Sequence, residues 1–304
     1  MKRQQKAVVA FIAYQNRKSE QVQCGRKIRH MTFRKYIRPF LRFMLFGQRK
    51  ICGFRVEVLN RVHIGGKPVI YAVTHIGKWD FEIVSEQIAN PFYVLAADFI
   101  HMYGKMSGLY LNANGVIWVN EAGREDKANT KELMKQILRQ GGNILIFPEG
   151  TWNFSENEPI YDIAYGTADA AIQTGAVIQT GAVIVPIAVE QYGKRFVINT
   201  GSSLDGAGYD DKESLTVTLR DTLASLRWEI WEREGVSSRA ELPDGYWERF
   251  LDVRVGEWPG YAMKEQFVNR FIPKEKLEYW QVQKDLKTGA LPRWYEMAVA
   301  DRKQ

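Results

Sequence analysis

Three short apolar runs set the limits on what this chain can fold into. Residues 68–74 (PVIYAVT), 143–147 (NILIF) and 183–190 (VIVPIAVE) are almost continuously apolar, and each is too short to be a core helix. Runs of this kind are strands buried on both faces, as in a parallel sheet covered by helices. Pro68 opens its run, where no ladder donor is lost. Between the runs the period changes. Residues 79–89 place Phe81, Val84 and Ile88 at helical spacing, and 127–139 place Leu133, Ile137 and Leu138 on one helix face. Residues 54–59, 92–96, 116–119 and 195–199 read as further strands. The predicted fold class is α/β, a largely parallel sheet flanked by helices, with its core over 54–204. Residues 210–234 read as a long helix within a mostly helical C-terminal extension, 205–304, that shows no catalytic pattern.

Composition narrows the class further. Of 304 residues, 45% are apolar and 25% charged, which excludes wholesale disorder and a disulfide-rich framework. Cys24 and Cys52 form neither a staple network nor a four-ligand zinc site by themselves, so a reducing compartment and no metal are expected. No stretch reaches the roughly 18 apolar residues of a spanning helix. The short apolar run 7–14 is followed by Gln15-Asn16-Arg17-Lys18 rather than a small-residue cleavage site, so a signal peptide is not expected.

The net charge is +7 and the pI about 9.2, but the charge is unevenly placed. Residues 1–53 form a strongly basic arm whose one acid before residue 51 is Glu20, and the remainder is mildly acidic. Such an arm either attracts an anionic partner or is a solvated tail. Within 28–46, Phe33, Ile37, Phe40, Leu41, Met44 and Leu45 recur at helical spacing, with Arg34, Arg38 and Arg42 in a row of their own. This is a basic amphipathic helix, suited to an anionic membrane surface or to packing its apolar stripe on the body. Pro39 is expected to kink it or to open a second helix.

Chemistry-bearing residues gather at strand ends. PVIYAVT runs into His75-Ile76-Gly77-Lys78-Trp79-Asp80, an H-x4-D spacing. Gly77 permits a tight turn, and Asp80 falls in the first turn of the next helix, where the macrodipole favours a carboxylate. A chain folding back there brings Asp80 to one imidazole nitrogen and leaves the other as a general base; a histidine capping a strand end is the plainer reading. NILIF runs into Pro148-Glu149-Gly150-Thr151, which is a turn or the second half of a site at the carboxyl ends of the strands. One oddity lies beyond it: 173–178 (QTGAVI) is repeated identically as 179–184. Thr-Gly is expected to end a helix, with the extra copy lengthening either that helix end or the turn before VIVPIAVE.

Taken together, the 75–80 segment, FPEGT at 147–151 and VIVPIAV at 183–189 resemble the glycerolipid acyltransferase family of the lysophosphatidate type, in order and separation. Residues 115–124 (GVIWVNEAGR) lie where that family has its second block, and the resemblance spans roughly 55–200. It implies transfer of an acyl chain from acyl-CoA or acyl carrier protein to a lysolipid hydroxyl, with no other cofactor. It implies His75 as base oriented by Asp80, acceptor binding by Glu149, Gly150 and Thr151, and Pro186 near the acyl-donor site. Backbone N–H groups near Gly77 or Gly150 are the expected oxyanion donors.

The chain departs from the family pattern at several positions. Thr74 and Gly77 stand where Asn and Ser are common, Trp152 stands where an arginine follows Glu-Gly-Thr, and Glu121 replaces a second-block arginine, although Arg124 remains. Two lost guanidinium groups remove bidentate phosphate recognition. Either Lys78, Arg124 and Lys127 supply the charge, or Trp152 serves a different head group. The competing reading is a non-catalytic basic membrane module on a decayed scaffold. Nucleic-acid binding is disfavoured, because the arm's aromatics share an aliphatic stripe instead of forming a stacking platform. The expected location is cytoplasmic, peripheral on the inner face of a membrane.

Overall fold

The computed structural model describes residues 2–24, 31–61, 66–77, 79–97, 106–119, 124–150, 152–153, 159–175 and 181–234. In chain order the elements are α1 (Lys2–Cys24), α2 (Met31–Ile51), β1 (Arg55–Val58), β2 (Val69–Val73), α3 (Asp80–Gln87), β3 (Tyr93–Ala96), α4 (Met106–Asn114), β4 (Val116–Trp118), α5 (Arg124–Arg139), β5 (Ile144–Ile146), α6 (Gly166–Gly175), β6 (Val183–Tyr192), β7 (Arg195–Thr200), β8 (Leu204–Asp205) and α7 (Lys212–Glu234).

The strands form one sheet in the order β1-β7-β6-β2-β5-β3-β4, with β8 beside β6. β6, β2, β5, β3 and β4 are mutually parallel, whereas β7 and β8 run antiparallel to β6. The three apolar runs are the three central strands. Their alternate residues feed two cores, because successive side chains point to opposite faces. Ile70, Ala72, Ile144 and Ile184 pack under α5, α6 and α7 through Leu133, Ile137, Ala171, Leu215 and Leu219. Val69, Tyr71, Val73, Leu145 and Val185 pack on the other side with Ile83, Val84 and Leu111 of α3 and α4, and with Phe11 and Tyr14 of α1. The predicted α/β sheet flanked by helices is the observed fold.

Pro186 sits within a central strand, and the neighbours of β6 explain how. Beyond Val183 and Ile184, which pair with β8, and before Ile187, which pairs with β7, the strand's outer side changes partner. Pro186 falls in that gap, where its missing N–H breaks no ladder bond and its carbonyl accepts from Gly201 N at 2.9 Å.

The arm is helical. α1 is seated by Lys18, whose buried ammonium donates to the Trp118 carbonyl at 2.9 Å and Thr130 Oγ1 at 3.0 Å and pairs with Asp126 at 2.5 Å. α2 continues through Pro39, which lies on its exposed side, so no second helix opens there. The sequence put the apolar residues on one stripe and the arginines in a row of their own, and the structure divides both between the two sides of the helix. Leu41 and Leu45 do face the body, but so does Arg38, which is only 2% exposed, while Phe33, Tyr36, Phe40, Phe43 and Met44 face outward.

In the duplicated hexapeptide the first Thr-Gly ends a helix, as expected. Its first copy ends α6 at Gly175 and the close of its second begins β6 at Val183, with 176–180 outside the described residues. β8 straddles the boundary expected after residue 204. Of the C-terminal extension, α7 is described and 235–304 are not.

Candidate active site

The carboxyl ends of β2 and β5 lie side by side, because Ile70–Ala72 pair with Ile144–Ile146. The segments leaving these strands therefore meet. After β2 the chain turns through Thr74, whose hydroxyl accepts from Val189 N at 2.9 Å and so holds the strand end to β6. His75 follows, and α3 starts five residues later at Asp80.

Asp80 folds back on the turn. Its Oδ2 accepts from Ile76 N at 2.8 Å and Gly77 N at 3.0 Å, and lies 2.7 Å from His75 Nδ1. The carboxylate is 1% exposed and stands in the first turn of α3, where the helix dipole favours its charge. Among the described residues no donor reaches its other oxygen, Oδ1. A carboxylate on Nδ1 selects the tautomer that leaves Nε2 with a lone pair, and no described residue bonds that nitrogen. The imidazole itself is partly exposed.

The segment after β5 holds the main chain of the same histidine. Residues 147–150 form a turn closed by Gly150 N to Phe147 O at 3.0 Å, and Gly150 takes φ +68°, a conformation that favours glycine. Glu149 Oε1 accepts from His75 N at 2.9 Å, and Asn153 N donates to His75 O at 2.5 Å. Both backbone groups of His75 are thus engaged by 149–153. Glu149 Oε2 accepts from Asn153 Nδ2 and from Tyr161 N, each at 3.0 Å. Burial pushes the Glu149 carboxyl up from its ordinary pKa, against the pull of the Arg227 guanidinium and of these three donors. Phe147 stacks on the His75 ring with centroids 4.0 Å apart, and Trp152 meets it edge-on at 6.0 Å.

Six of the residues singled out in the sequence therefore converge: His75, Gly77, Asp80, Glu149, Gly150 and Trp152. Two details add to the sequence reading. Both oxygens of Glu149 accept from protein donors, Oε1 from the backbone of His75 and Oε2 from Asn153 and Tyr161. The N–H groups of Gly77 and Gly150 themselves donate to Asp80 and to the Phe147 carbonyl, and the neighbouring residues 78 and 151 lie outside the described ones. Pro186 is buried in β6, beside Ala72 of β2. Arg124 is exposed at the start of α5, and Lys127 is exposed one turn on. Lys78, Glu121 and Thr151 lie outside the described residues.

Asn153 and Phe147 carried no role in the sequence reading, nor did Arg227. Arg227 lies on α7, where its Nε donates to Glu190 Oε2 at 2.9 Å and its Nη1 to Pro159 O at 3.0 Å, two residues before Tyr161. Asn153, four residues after Glu149, was the one signal in range. Among the described residues no group of three His, Cys, Asp or Glu side chains could hold a metal ion.

Residues 54–190 match the family model described as Acyltransferase. A 1-acyl-sn-glycerol-3-phosphate acyltransferase of Borreliella burgdorferi is 26% identical over 189 residues, covering 57% of this chain and 72% of that protein. The crystal structure of the 1-acyl-sn-glycerophosphate acyltransferase PlsC from Thermotoga maritima superposes with a TM-score of 0.54 at 12% identity, over 78% of this chain and 95% of that one. At that identity the likeness is one of fold.

Proposed function

We propose that this chain, an O-acyltransferase that belongs to the glycerolipid acyltransferase family through residues 54–190, moves a fatty acyl group from a thioester carrier to the free hydroxyl of a lysophospholipid-type acceptor. The observation that carries the reading is the 2.7 Å bond from Asp80 to His75 Nδ1, which leaves Nε2 for chemistry. The acceptor oxygen attacks the thioester carbonyl as Nε2 takes its proton, the C–S bond breaks as the tetrahedral intermediate collapses, and the thiolate leaves with a proton from the imidazolium. Asp80 and the face of Phe147 stabilise that transient cation. Glu149 and Asn153 act through the main chain of His75, fixing where the ring stands. The donor is acyl-CoA or acyl carrier protein.

The test is mass spectrometry of products formed from either donor and a panel of lysolipids by the wild type and His75→Ala. A diacyl lipid made only by the wild type is expected and names the acceptor. Absence of product from every pair, with the fold intact, leaves the membrane module on a decayed scaffold.

The second part of the reading concerns the surface on which the acceptor resides. No helix among the described residues is long and apolar enough to cross a membrane. α2, however, exposes Phe33, Tyr36, Phe40, Phe43 and Met44 along one face, with Lys35 and Lys50 exposed beside them. An aromatic face flanked by cations suits the interface of an anionic bilayer. Phe40→Ser with Phe43→Ser removes two rings worth about 1 kcal/mol each at an interface, so vesicle partitioning falls about thirtyfold. Sedimentation with anionic vesicles measures this, and unchanged partitioning would remove α2 from the membrane surface.

A further inference from the structure

The arginines of α2 do more than bury a helix. Arg38 reaches the end of α3 and donates to Ile88 O at 2.8 Å, to Ser85 Oγ at 3.3 Å and to the Ser85 carbonyl. It also bonds Asn114 Oδ1 at 2.7 Å and Tyr110 OH at 3.4 Å, at the end of α4. Arg42 Nε takes the intervening carbonyl, Glu86 O, at 2.8 Å, and Arg49 grips the Glu86 carboxylate at 2.6 and 2.9 Å. The last carbonyls of a helix have no partner within it. Here the carbonyls of Ser85, Glu86 and Ile88 at the close of α3 are held by guanidinium groups of α2, the first of them shared with Ile88 N. Arg34 fixes the neighbouring end of α4 through Asn114 O at 2.6 Å, lying where a Cβ on Gly115 would stand.

We propose that Arg38 is a positioning residue for the reaction, holding α3 so that Asp80, at the opposite end of that helix, meets His75 in register. α3 has eight residues, Asp80–Gln87, so it is a rod of about 12 Å. One end is clamped to α2 and the other carries the carboxylate that binds His75, Ile76 and Gly77. Packed helices shift as units, and a misplacement of about 1 Å can reduce turnover roughly a hundredfold. The helix whose outer face is proposed to meet the membrane is therefore the helix that holds the dyad, a step that rests on the acyltransferase reading for its kinetic consequence.

The experiment compares Arg38→Lys with the wild type in the full chain, by kinetics and by proton NMR of the far-downfield Nδ1 proton shared by His75 and Asp80. Lysine keeps the charge but cannot fork to two carbonyls and Asn114 together. The expected result is a kcat at least tenfold lower with KM within about twofold, and loss or broadening of the downfield signal while the circular dichroism spectrum is retained. An unaltered signal with unaltered kcat, even with a lowered Tm, means a purely structural clamp and overturns the proposal, as does a change confined to KM. If Arg38→Lys fails to fold, Arg42→Lys is measured instead. A weakened signal then supports the proposal and an unchanged one overturns it. Should the wild type transfer no acyl group, the acyltransferase reading fails, and the NMR comparison still decides the positioning.

Discussion

Asp80→Asn lowers kcat by about two to four orders of magnitude and leaves the fold in place. Asparagine is isosteric, so its side-chain oxygen can occupy the position of Oδ2 and keep the bonds from Ile76 N, Gly77 N and His75 Nδ1. Its amide nitrogen then occupies the position of Oδ1, for which the described residues provide no partner. The geometry of the turn survives, and the charge does not. In the ground state that charge orients the imidazole, a modest task. In the proposed mechanism Nε2 takes the acceptor's proton, so the ring becomes a cation within hydrogen-bond distance of a buried carboxylate, and the interaction strengthens because little water screens it. An interaction made stronger only along the reaction is one whose loss appears in kcat. The measurement is steady-state turnover with Tm alongside. Near-full turnover in a folded variant would take His75 out of the role of base, and a large loss of Tm would mean that Asp80 serves the turn instead.

The strands were legible in the sequence because a parallel sheet demands long apolar runs and tolerates few substitutes. The runs 68–74, 143–147 and 183–190 could hardly be placed anywhere else. The facing of α2 was not legible, for a physical reason. Arginine on the inner side of a helix is costly unless acceptors await it, and those acceptors are carbonyls 44 to 80 residues away, at the ends of α3 and α4. A trace of the answer was present. Arg34, Arg38, Leu41 and Leu45 share one face at spacings of four, three and four, so the guanidinium row and the buried leucines are a single stripe. α1 escaped notice because polar groups such as Lys18 and Tyr14 seat it as much as apolar ones do.

The candidate site divides along the same line. His75 and Asp80 lie in one turn, so local spacing revealed them. Glu149 was visible as a residue at a strand end, but its bonds depend on three segments meeting: the turn after β2, Asn153, and the approach to α6 at Tyr161. Arg227 depends on α7, which lies beyond the 54–190 stretch that matches the family model. Where a side chain is held by distant backbone, sequence shows the residue and withholds its task.

Glu149→Gln tests that withheld task most directly, and its effects on stability and turnover are separable. The wild-type carboxylate faces three donors, His75 N, Tyr161 N and Asn153 Nδ2, and gives nothing in return. Glutamine offers one acceptor oxygen and one donor amide. Placed with its oxygen toward His75, it opposes its amide to Tyr161 N; placed the other way, it opposes the amide to His75 N. The first placement opposes the amide to two donors, Tyr161 N and Asn153 Nδ2, and the second to one, His75 N, so at least one bond to a buried donor is lost, at a cost of about 1–3 kcal/mol, and the main chain of His75 loosens. Turnover is expected to fall about a hundredfold through the displaced ring, with the Nδ1 bond to Asp80 still formed. The pH dependence has a definite sign. Burial raises the folded pKa of Glu149 above its unfolded value, so the folded state binds the proton more tightly than the unfolded state does. The stability this group contributes is therefore fully present below the unfolded pKa and is lost as the pH rises through the folded one. Glutamine does not titrate, so the stability of the wild type relative to Glu149→Gln is greatest in acid and declines as the pH rises. Urea unfolding of both proteins across that range measures the difference. A difference that grows with pH would mean that the three donors and Arg227 outweigh burial, and that Glu149 serves His75 as a fully ionised brace.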